Sequence, residues 1–325
     1  MNQHIKGSLI WLLKLAFLVG PAYLIWSKIS NTPGLPADHL IAVLKGLDAR
    51  WLGFAFVALM LSNFLGAFQW MILLVMQGVS MRYKELLRIY FVGLFFNNFL
   101  PGNVGGDVKR IYDIKVEGGQ KLGAGVSATL FDRVFGLFFL NALAMAVGLL
   151  FFIWDPKQSW LLVPPFAIFA AFCVLFAALF SRRLGLLFER IATRLFPVAL
   201  VEKFTSLRDR FHLFRNKKLW LQVTLLSAVV QTLRVSVHWF CALSIGLHVN
   251  VSWYFYFIPL VAMVSALPIS VGGFGPREWL AQYLFSRIGV GPLESVLVQF
   301  LATGVNLAVS LYGGIIFLFR RKKIS

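Results

Sequence analysis

The stretch "NNFLPGNVGGDVKR", Asn97–Arg110, interrupts a long apolar run with one proline, three glycines and then charged residues. A second stretch, "LPISVGGFGPRE" at Leu267–Glu278, repeats the pattern L-P-x-x-V-G-G. Proline ends a helix because it lacks a backbone N–H and clashes with the preceding turn. Glycine then allows unusual backbone dihedrals and a close approach of other groups. The shared pattern therefore predicts two helices that are interrupted in the same way.

The rest of the chain is strongly apolar. Of 325 residues, 59% are hydrophobic, and the mean hydropathy is +0.79, whereas a soluble domain is about half apolar. Six runs reach the roughly 17–25 residues that cross a bilayer as a helix. They are about 9–27, 51–77, 126–153, 160–180, 219–247 and 294–319. The sequence thus predicts an all-α polytopic membrane protein with about six full spans.

The two interrupted segments, 85–122 and 253–290, are too short on each side of the break to cross the membrane. An arm of about 15 residues rises about 22 Å, less than the roughly 30 Å hydrocarbon core. We therefore expect two re-entrant, broken-helix hairpins. Each half then consists of two spans, a hairpin and a span, in opposite orientations, as in inverted repeats.

These elements make up one integral membrane domain, 1–325. The predicted half-repeats are about 1–155 and 219–325, joined by the span 160–180 and a basic segment 181–218. Apolar residues at helical spacing in the basic segment predict an amphipathic helix. It lies either on the inner leaflet or on the protein's own loops.

Positive charge is concentrated in a few places. The net charge is +18, and residues 181–218 hold ten Lys or Arg against three Asp or Glu. The segment 78–90 and the final "FRRKKIS" are also basic. The positive-inside rule places all three in the cytoplasm, with both termini. Basic residues beside spans are topology signals that also attract anionic lipids, so we expect membrane lipids and no nucleic acid as partners.

The breaks have properties of a binding site. Non-helical backbone at membrane depth is tolerated only inside the protein or beside a wet cavity. A helix that restarts after Gly106 or Gly275 presents free N–H groups and a positive dipole, which suit an anion such as a lipid phosphate. Because the hairpins enter from opposite faces, we expect the breaks to meet near the middle of the membrane.

Charged residues near the breaks have candidate roles. Lys109, Arg110 and Arg277 could hold phosphate oxygens. Asp107 and Glu278 could orient these bases or contact a cationic headgroup, although Asp107 equally suits a helix cap. Other charges lie within spans. Arg234 lies in the middle of one span, where a charged residue is costly and is a functional candidate. The alternative is a structural ion pair between helices. The same two alternatives apply to Asp132 and Arg133.

The predicted substrate-binding residues are Asn98, Gly105, Gly106, Asp107, Lys109, Arg110, Arg133, Arg234, Gly272, Gly273, Arg277 and Glu278. We predict no catalytic residue, metal or cofactor. The sequence contains no P-loop, G-x-S-x-G or H-E-x-x-H pattern. Its two cysteines, Cys173 and Cys241, lie in apolar runs without zinc-site spacing.

Three blocks resemble the membrane domain of the lysylphosphatidylglycerol synthase/flippase-like family. They are "NNFLPGNVGGDVKRIYDI" (97–114), "FDRVFGL" (131–137) and "LPISVGGFGPREWLAQYLF" (267–285). The resemblance implies a bacterial inner membrane and a lipid-translocating core. The core positions it implies are Asn98, Pro101, Gly105, Gly106, Asp107, Arg110, Arg133, Gly272, Gly273, Gly275 and Glu278. Some members carry a cytoplasmic aminoacyl-transferase domain, whose activity we do not expect in this chain.

These features favour a lipid flippase or transporter that moves a polar headgroup, either anionic or on a modified phospholipid or glycolipid, by alternating access. The alternative is a membrane-embedded glycosyl- or headgroup-transferase with Asp107, Asp132 or Glu278 as general base. A third hypothesis is a non-transporting partner of a lipid-modifying enzyme. We expect a transporter rather than an enzyme.

Overall fold

A computed structural model of the chain describes residues 45–99, 105–118, 122–180, 193, 217–266 and 276–319. The described residues form α-helices and one short 3-10 helix, and they contain no β-strand. The helices are α1 (Ala49–Met76), α2 (Tyr83–Phe99), α3 (Gly105–Gly118), α4 (Leu122–Trp154), the 3-10 helix (Pro156–Leu162), α5 (Val163–Phe180), α6 (Lys217–Ser244), α7 (Val251–Ala266), α8 (Pro276–Ser286) and α9 (Pro292–Phe319).

Local sequence signals set several helix ends. Asp48 caps α1, and its carboxylate accepts a hydrogen bond from the backbone N–H of Arg50 at 3.0 Å. Gly78 follows α1 with φ +78°, and Gly246 follows α6 with φ +75°. Left-handed backbone of this kind ends helices and favours glycine. The first and second halves of the molecule therefore end their central helices in the same way.

The predicted all-α membrane fold is confirmed. Helices α1, α4, α6 and α9 are long and apolar enough to cross a membrane, and they match four of the predicted spans. The span predicted at 160–180 corresponds to the 3-10 helix and the shorter α5. The span at 9–27 and the amphipathic helix in 181–218 lie outside the described residues, and the division into halves 1–155 and 219–325 stays a prediction.

Side chains on the outer faces of the spans agree with a membrane environment. Val57 on α1 is 62% exposed, Ile153 on α4 is 69% exposed, and Val229 on α6 is 47% exposed. Apolar surface of this extent is unusual on a soluble monomer and marks contact with membrane or partners. We conclude that these faces contact lipid.

The helices pack with an internal two-fold symmetry. We compare the unit α1–α4 with the unit α6–α9. Helix α2 packs against α9, and its counterpart α7 packs against α4. The hairpin contact of α2 with α3 has its counterpart between α7 and α8, and the contact of α3 with α4 has its counterpart between α8 and α9. The described residues therefore contain two copies of one span–hairpin–span unit.

The two units are inverted relative to each other. The central helices α1 and α6 pack closely, with Trp51 stacked on Phe240 at 6.1 Å between ring centroids. Farther along α1, Gln69 contacts Ser227, whose hydroxyl donates to it at 3.0 Å. Residue numbers thus rise along α1 as they fall along α6. Because equivalent helices run antiparallel, the repeat is inverted, as the sequence predicts.

Small residues let the first hairpin fold tightly. A methyl group added to Gly106 at the start of α3 would overlap the carbonyl oxygen of Gly93 on α2. One added to Gly313 on α9 would overlap the carbonyl oxygen of Phe91, also on α2. Glycine permits such approaches of helix backbones within membranes. Helix α2 is therefore held between α3 and α9 by backbone contact.

Candidate functional site

A cavity of about 410 Å³ lies where the two units meet. This volume is within the range of small-molecule sites, about 300–1,000 Å³. Its polar lining residues are Asn63, Asn97, Asn98, Arg133, Gln231, Arg234, His238, Ser265, Arg277, Gln299, Thr303 and Asn306. They come from seven helices, so the cavity belongs to both copies of the repeat.

The cavity is lined by residues of the helices that flank both breaks, and it lies at mid-height of the central helices. Asn98 comes at the end of α2, Ser265 at the end of α7, and Arg277 in the first turn of α8. Asn63 and Arg234 lie near the middle of α1 and α6. The break segments 100–104 and 267–275, with the predicted site residues Gly272 and Gly273, lie outside the described residues.

Arg277 is held in the cavity wall by neighbouring side chains. Its Nη2 lies 2.6 Å from Oε1 of Glu278 and donates to Oγ1 of Thr303 at 2.9 Å. The Glu278 carboxylate therefore serves as a partner of Arg277. Glu278 itself does not line the cavity, and its role in orienting the base or in contacting a cationic headgroup stays a prediction.

Arg133 lines the cavity from α4. Its Nε donates to Oδ2 of Asp107, which is the third residue of α3. Asp107 also lies 3.5 Å from Nη1 of Arg110. Asp107 does not line the cavity and instead holds Arg133 from behind the wall.

Arg110 is buried beneath the cavity wall. Its guanidinium carbon lies 4.1 Å from the ring centroid of Trp70 and 4.3 Å from that of Tyr90. Its Nη2 lies 3.7 Å from Asp132, which accepts a hydrogen bond from Gln69 at 2.8 Å. Stacking between two aromatic faces stabilises a guanidinium away from water. Arg110 therefore connects α1, α2, α3 and α4 and does not reach the cavity.

Arg234 differs from the other cavity arginines in its partners. Its Nε donates to the hydroxyl of Ser62 at 3.3 Å, and its Nη2 lies 3.4 Å from the hydroxyl of Tyr90. Among the described residues, no carboxylate lies within salt-bridge distance of Arg234. One turn later, Nδ1 of His238 lies 3.3 Å from the Arg234 carbonyl oxygen. Arg234 is thus a cation at membrane depth with neutral partners.

Lys109 lies away from the cavity. Its ammonium pairs with Asp113 one turn later on α3 and lies about 6 Å from the ring centroids of Phe96 and Phe317. The start of α3 is also occupied, because the N–H of Gly106 donates to Oδ1 of Asn97 at 2.8 Å. Gly105, the first residue of α3, does not line the cavity either.

Asn98, in contrast, lines the cavity and links the two units. Its Oδ1 accepts a hydrogen bond from Nδ2 of Asn306 on α9 at 2.9 Å.

The charged residues at and directly behind the wall do not cancel. They are Arg110, Arg133, Arg234, Arg277, Asp107, Asp132 and Glu278. This group of described residues contains four positive and three negative side chains, so its net charge is +1. Of these, only the arginines at 133, 234 and 277 line the cavity. The wall therefore favours an anion.

Sequence reasoning missed one relation within the site. The shared pattern extends by four positions to L-P-x-x-V-G-G-x-x-x-R, which makes Arg110 and Arg277 equivalent residues of the repeat. The polar residues Asn63, Gln299 and Asn306 also line the cavity, and Asn306 makes an interhelical hydrogen bond to Asn98. The paired arginine could have been found by extending the alignment of the two breaks.

Comparisons with known proteins identify related sequences. The model of the lysylphosphatidylglycerol synthase TM region matches residues 11–314. A UPF0104 membrane protein of Methanothermobacter thermautotrophicus (strain Delta H) is 21% identical over 274 residues, which cover 78% of each chain. No solved structure matches the chain.

Proposed function

Because the chain belongs to the lysylphosphatidylglycerol synthase TM region family, we propose that it is a lipid flippase or transporter. In this proposal it moves the polar headgroup of a membrane lipid across the bilayer. The observation that carries the proposal is the cavity of about 410 Å³ at the junction of the inverted units, lined by three arginines and several amides. Polar walls at this depth are costly and are typical of a substrate pathway.

The inverted repeat supplies a means of transport. In this proposal the headgroup occupies the cavity while the acyl chains stay in the bilayer. Two units of the same construction can rock about a shared site and expose it to each leaflet in turn. The hydrogen bond between Asn98 and Asn306 joins α2 to α9 at the cavity, so we expect it to change during this motion.

The transferase alternative requires a carboxylate that can act as a general base. Asp107 and Glu278 are both paired with arginines, and Asp132 accepts a hydrogen bond from Gln69. These pairings favour a role in orienting cations. The experiment below separates the two functions by the mass of the recovered lipid.

The test uses purified full-length protein in liposomes that contain a fluorescent anionic phospholipid. Addition of a membrane-impermeant quencher then reports how fast the label reaches the outer leaflet. We expect exchange to be faster than in protein-free liposomes, with the lipid mass unchanged. A changed lipid mass would instead identify a transferase. Absence of exchange across phospholipid and glycolipid probes, with and without a membrane potential, would contradict the proposal.

We also propose a location and orientation for the chain. The basic segment 78–90, which includes the start of α2, lies on the cytoplasmic face of a bacterial inner membrane, with both termini on the same side. The supporting observation is the charge distribution of the sequence under the positive-inside rule.

A further inference from the structure

Three buried amides in the cavity wall have unused hydrogen-bonding atoms. Gln299 is 1% exposed, and neither its Nε2 nor its Oε1 has a partner among the described residues. Gln231, 3% exposed, has an unpartnered Oε1, and Asn63, 2% exposed, has an unpartnered Nδ2. A buried polar atom without a partner costs about 1–3 kcal/mol. The wall therefore keeps hydrogen-bonding capacity for a ligand.

The unused atoms include both donors and acceptors. The Nε2 of Gln299 and the Nδ2 of Asn63 donate, while the oxygens of Gln299 and Gln231 accept. A hydroxyl group donates one hydrogen bond and accepts others, so it satisfies both kinds of atom. A bare phosphate accepts only, and an ammonium donates only. The amides therefore fit a ligand that carries hydroxyl groups.

The charged part of the wall selects against a cationic ligand. Arg133, Arg234 and Arg277 line the cavity, whereas Asp107 and Glu278 are each engaged with an arginine. Among the described residues no carboxylate lines the cavity. An ammonium group would meet net positive charge without an acidic partner. A phosphodiester would instead receive charge-assisted hydrogen bonds.

We infer that the cavity takes an anionic headgroup that bears hydroxyls, namely a phosphodiester attached to a polyol or sugar, and not an amine-bearing headgroup. The assignment of this headgroup to a lipid rests on the proposed function. Arginines hold the phosphate oxygens, and the amides of Gln299, Gln231 and Asn63 hold the hydroxyls.

The test compares three fluorescent short-chain lipids with the same phosphodiester, bound to the full-length protein in detergent and followed by fluorescence anisotropy. Phosphatidylglycerol carries hydroxyls, phosphatidylethanol carries none, and phosphatidylethanolamine carries an ammonium. We expect the tightest binding for phosphatidylglycerol and the weakest for phosphatidylethanolamine. Equal or tighter binding of phosphatidylethanol or phosphatidylethanolamine would overturn the inference, and this comparison needs no variant.

Variants then assign the selectivity to the amides. Gln299→Leu keeps the approximate size of the side chain and removes both hydrogen-bonding atoms. We expect about three- to tenfold weaker binding of phosphatidylglycerol, the effect of one lost hydrogen bond, and unchanged binding of phosphatidylethanol. Ser310→Ala, at a buried position of the same helix outside the cavity, serves as the control. If Gln299→Leu does not fold, Gln231→Leu provides the same comparison, and unchanged selectivity in the folded variant would overturn the assignment.

The outcomes separate this inference from the proposed transport. Selective binding of phosphatidylglycerol without lipid exchange would support the headgroup chemistry and contradict the flippase. Exchange of phosphatidylethanolamine at the rate of phosphatidylglycerol would support transport and overturn the headgroup chemistry. Soluble glycerol 3-phosphate, added as a competitor, tests the source. Displacement at equal concentration would support the same chemistry and point to a soluble ligand.

Discussion

At the scale of single residues, Arg234 is the cavity cation on which binding should depend most. Its hydrogen-bond partners are the neutral hydroxyls of Ser62 and Tyr90, and it lines the cavity. We expect Arg234→Gln to reduce lipid exchange at least about tenfold, since charge-assisted hydrogen bonds contribute about 1.5–3 kcal/mol. The quencher assay in liposomes measures this effect.

The matched control is Arg287→Gln. Arg287 is exposed, and it contacts Tyr283 on α8 outside the cavity. Its loss should leave exchange at the wild-type rate. Equal exchange in the two variants, at equal protein content, would show that Arg234 has no role in transport.

The pair of Asp107 and Arg133 should behave as one unit. Asp107→Asn removes the carboxylate that accepts the hydrogen bond from Arg133, whereas Arg133→Gln leaves Asp107 with Arg110 at 3.5 Å. Both single variants lose the same ion pair, so the sum of their effects counts that interaction twice. We therefore expect the double variant to be destabilised by less than the sum of the single variants.

Thermal unfolding in detergent of the wild type, both single variants and the double variant measures this coupling. A coupling energy of about 0.5–3 kcal/mol is typical of contacting residues. Strictly additive effects would mean that the ion pair does not contribute to stability.

The sequence identifies some site residues because their chemistry conflicts with their surroundings. Asn98, Arg133, Arg234 and Arg277 are polar residues in apolar segments, and the structure places all four at the cavity. The sequence alone cannot distinguish these four residues from Lys109 or Arg110, which are equally polar. Those two differ in lying outside the cavity lining, and the aromatic pair around Arg110 comes from two other helices. Such pairings depend on tertiary packing.

At the scale of helices, the contact of α9 with α2 depends on glycine. A methyl group at Gly313 would overlap the backbone of Phe91, whereas one at Gly304, on the same helix, would meet nothing within 4 Å. Overpacking typically costs about 1–3 kcal/mol. We expect Gly313→Ala to lower the thermal unfolding temperature in detergent, and Gly304→Ala to keep or raise it because alanine has the higher helix propensity.

An equal effect of the two substitutions would indicate that propensity, and not packing, governs these positions. Because α2 ends at the cavity, we also expect Gly313→Ala to reduce lipid exchange. Gly304→Ala should not.

Helix positions are the part of the fold that the sequence predicts best. The apolar runs have the length that a membrane imposes, and the prolines and glycines mark the breaks. The predicted spans 51–77 and 294–319 lie within two residues of α1 and α9. The run at 160–180 shows the limit of this reasoning, since its first residues form a 3-10 helix capped by Asp155. Hydropathy alone does not register such a cap.

At the scale of the whole molecule, the inverted repeat places equivalent loops on opposite faces. The loop after α1 and the loop after α6 are such a pair. We predict that Ser80→Cys reacts with a membrane-impermeant maleimide from the cytoplasmic face only, and His248→Cys from the opposite face only. Both positions are exposed. The native Cys173 and Cys241 are replaced by serine in both variants.

Labelling of both cysteines from one face would contradict the inverted arrangement. Labelling from opposite faces, but with the sides exchanged, would retain the repeat and reverse the proposed orientation.

The sequence supports this symmetry at very few positions. Leu100 and Leu267 are 167 residues apart (267 minus 100), and the same shift moves α1 onto 216–243, one residue from α6. Only the helix breaks and the arginine pair Arg110 and Arg277 preserve the pattern clearly. Lipid accepts any apolar side chain, so equivalent spans retain hydropathy without retaining identity. The fold repeat is therefore much clearer in the helix packing than in the residues.

The inversion also bears on how the two halves of such a chain can diverge. Arg82, Lys84 and Arg88 lie at and after the α1–α2 loop, while the equivalent positions of the second half hold Val249, Val251 and Phe255. Positively charged loops stay on the cytoplasmic side during membrane insertion. Two copies of one unit in opposite orientations therefore cannot both keep the same basic loop. After a duplication of this architecture, the two copies must therefore diverge in sequence first at the loops that set their orientation in the membrane. Likeness survives in the sequence pattern of the breaks, L-P-x-x-V-G-G, which carries no charge that directs insertion.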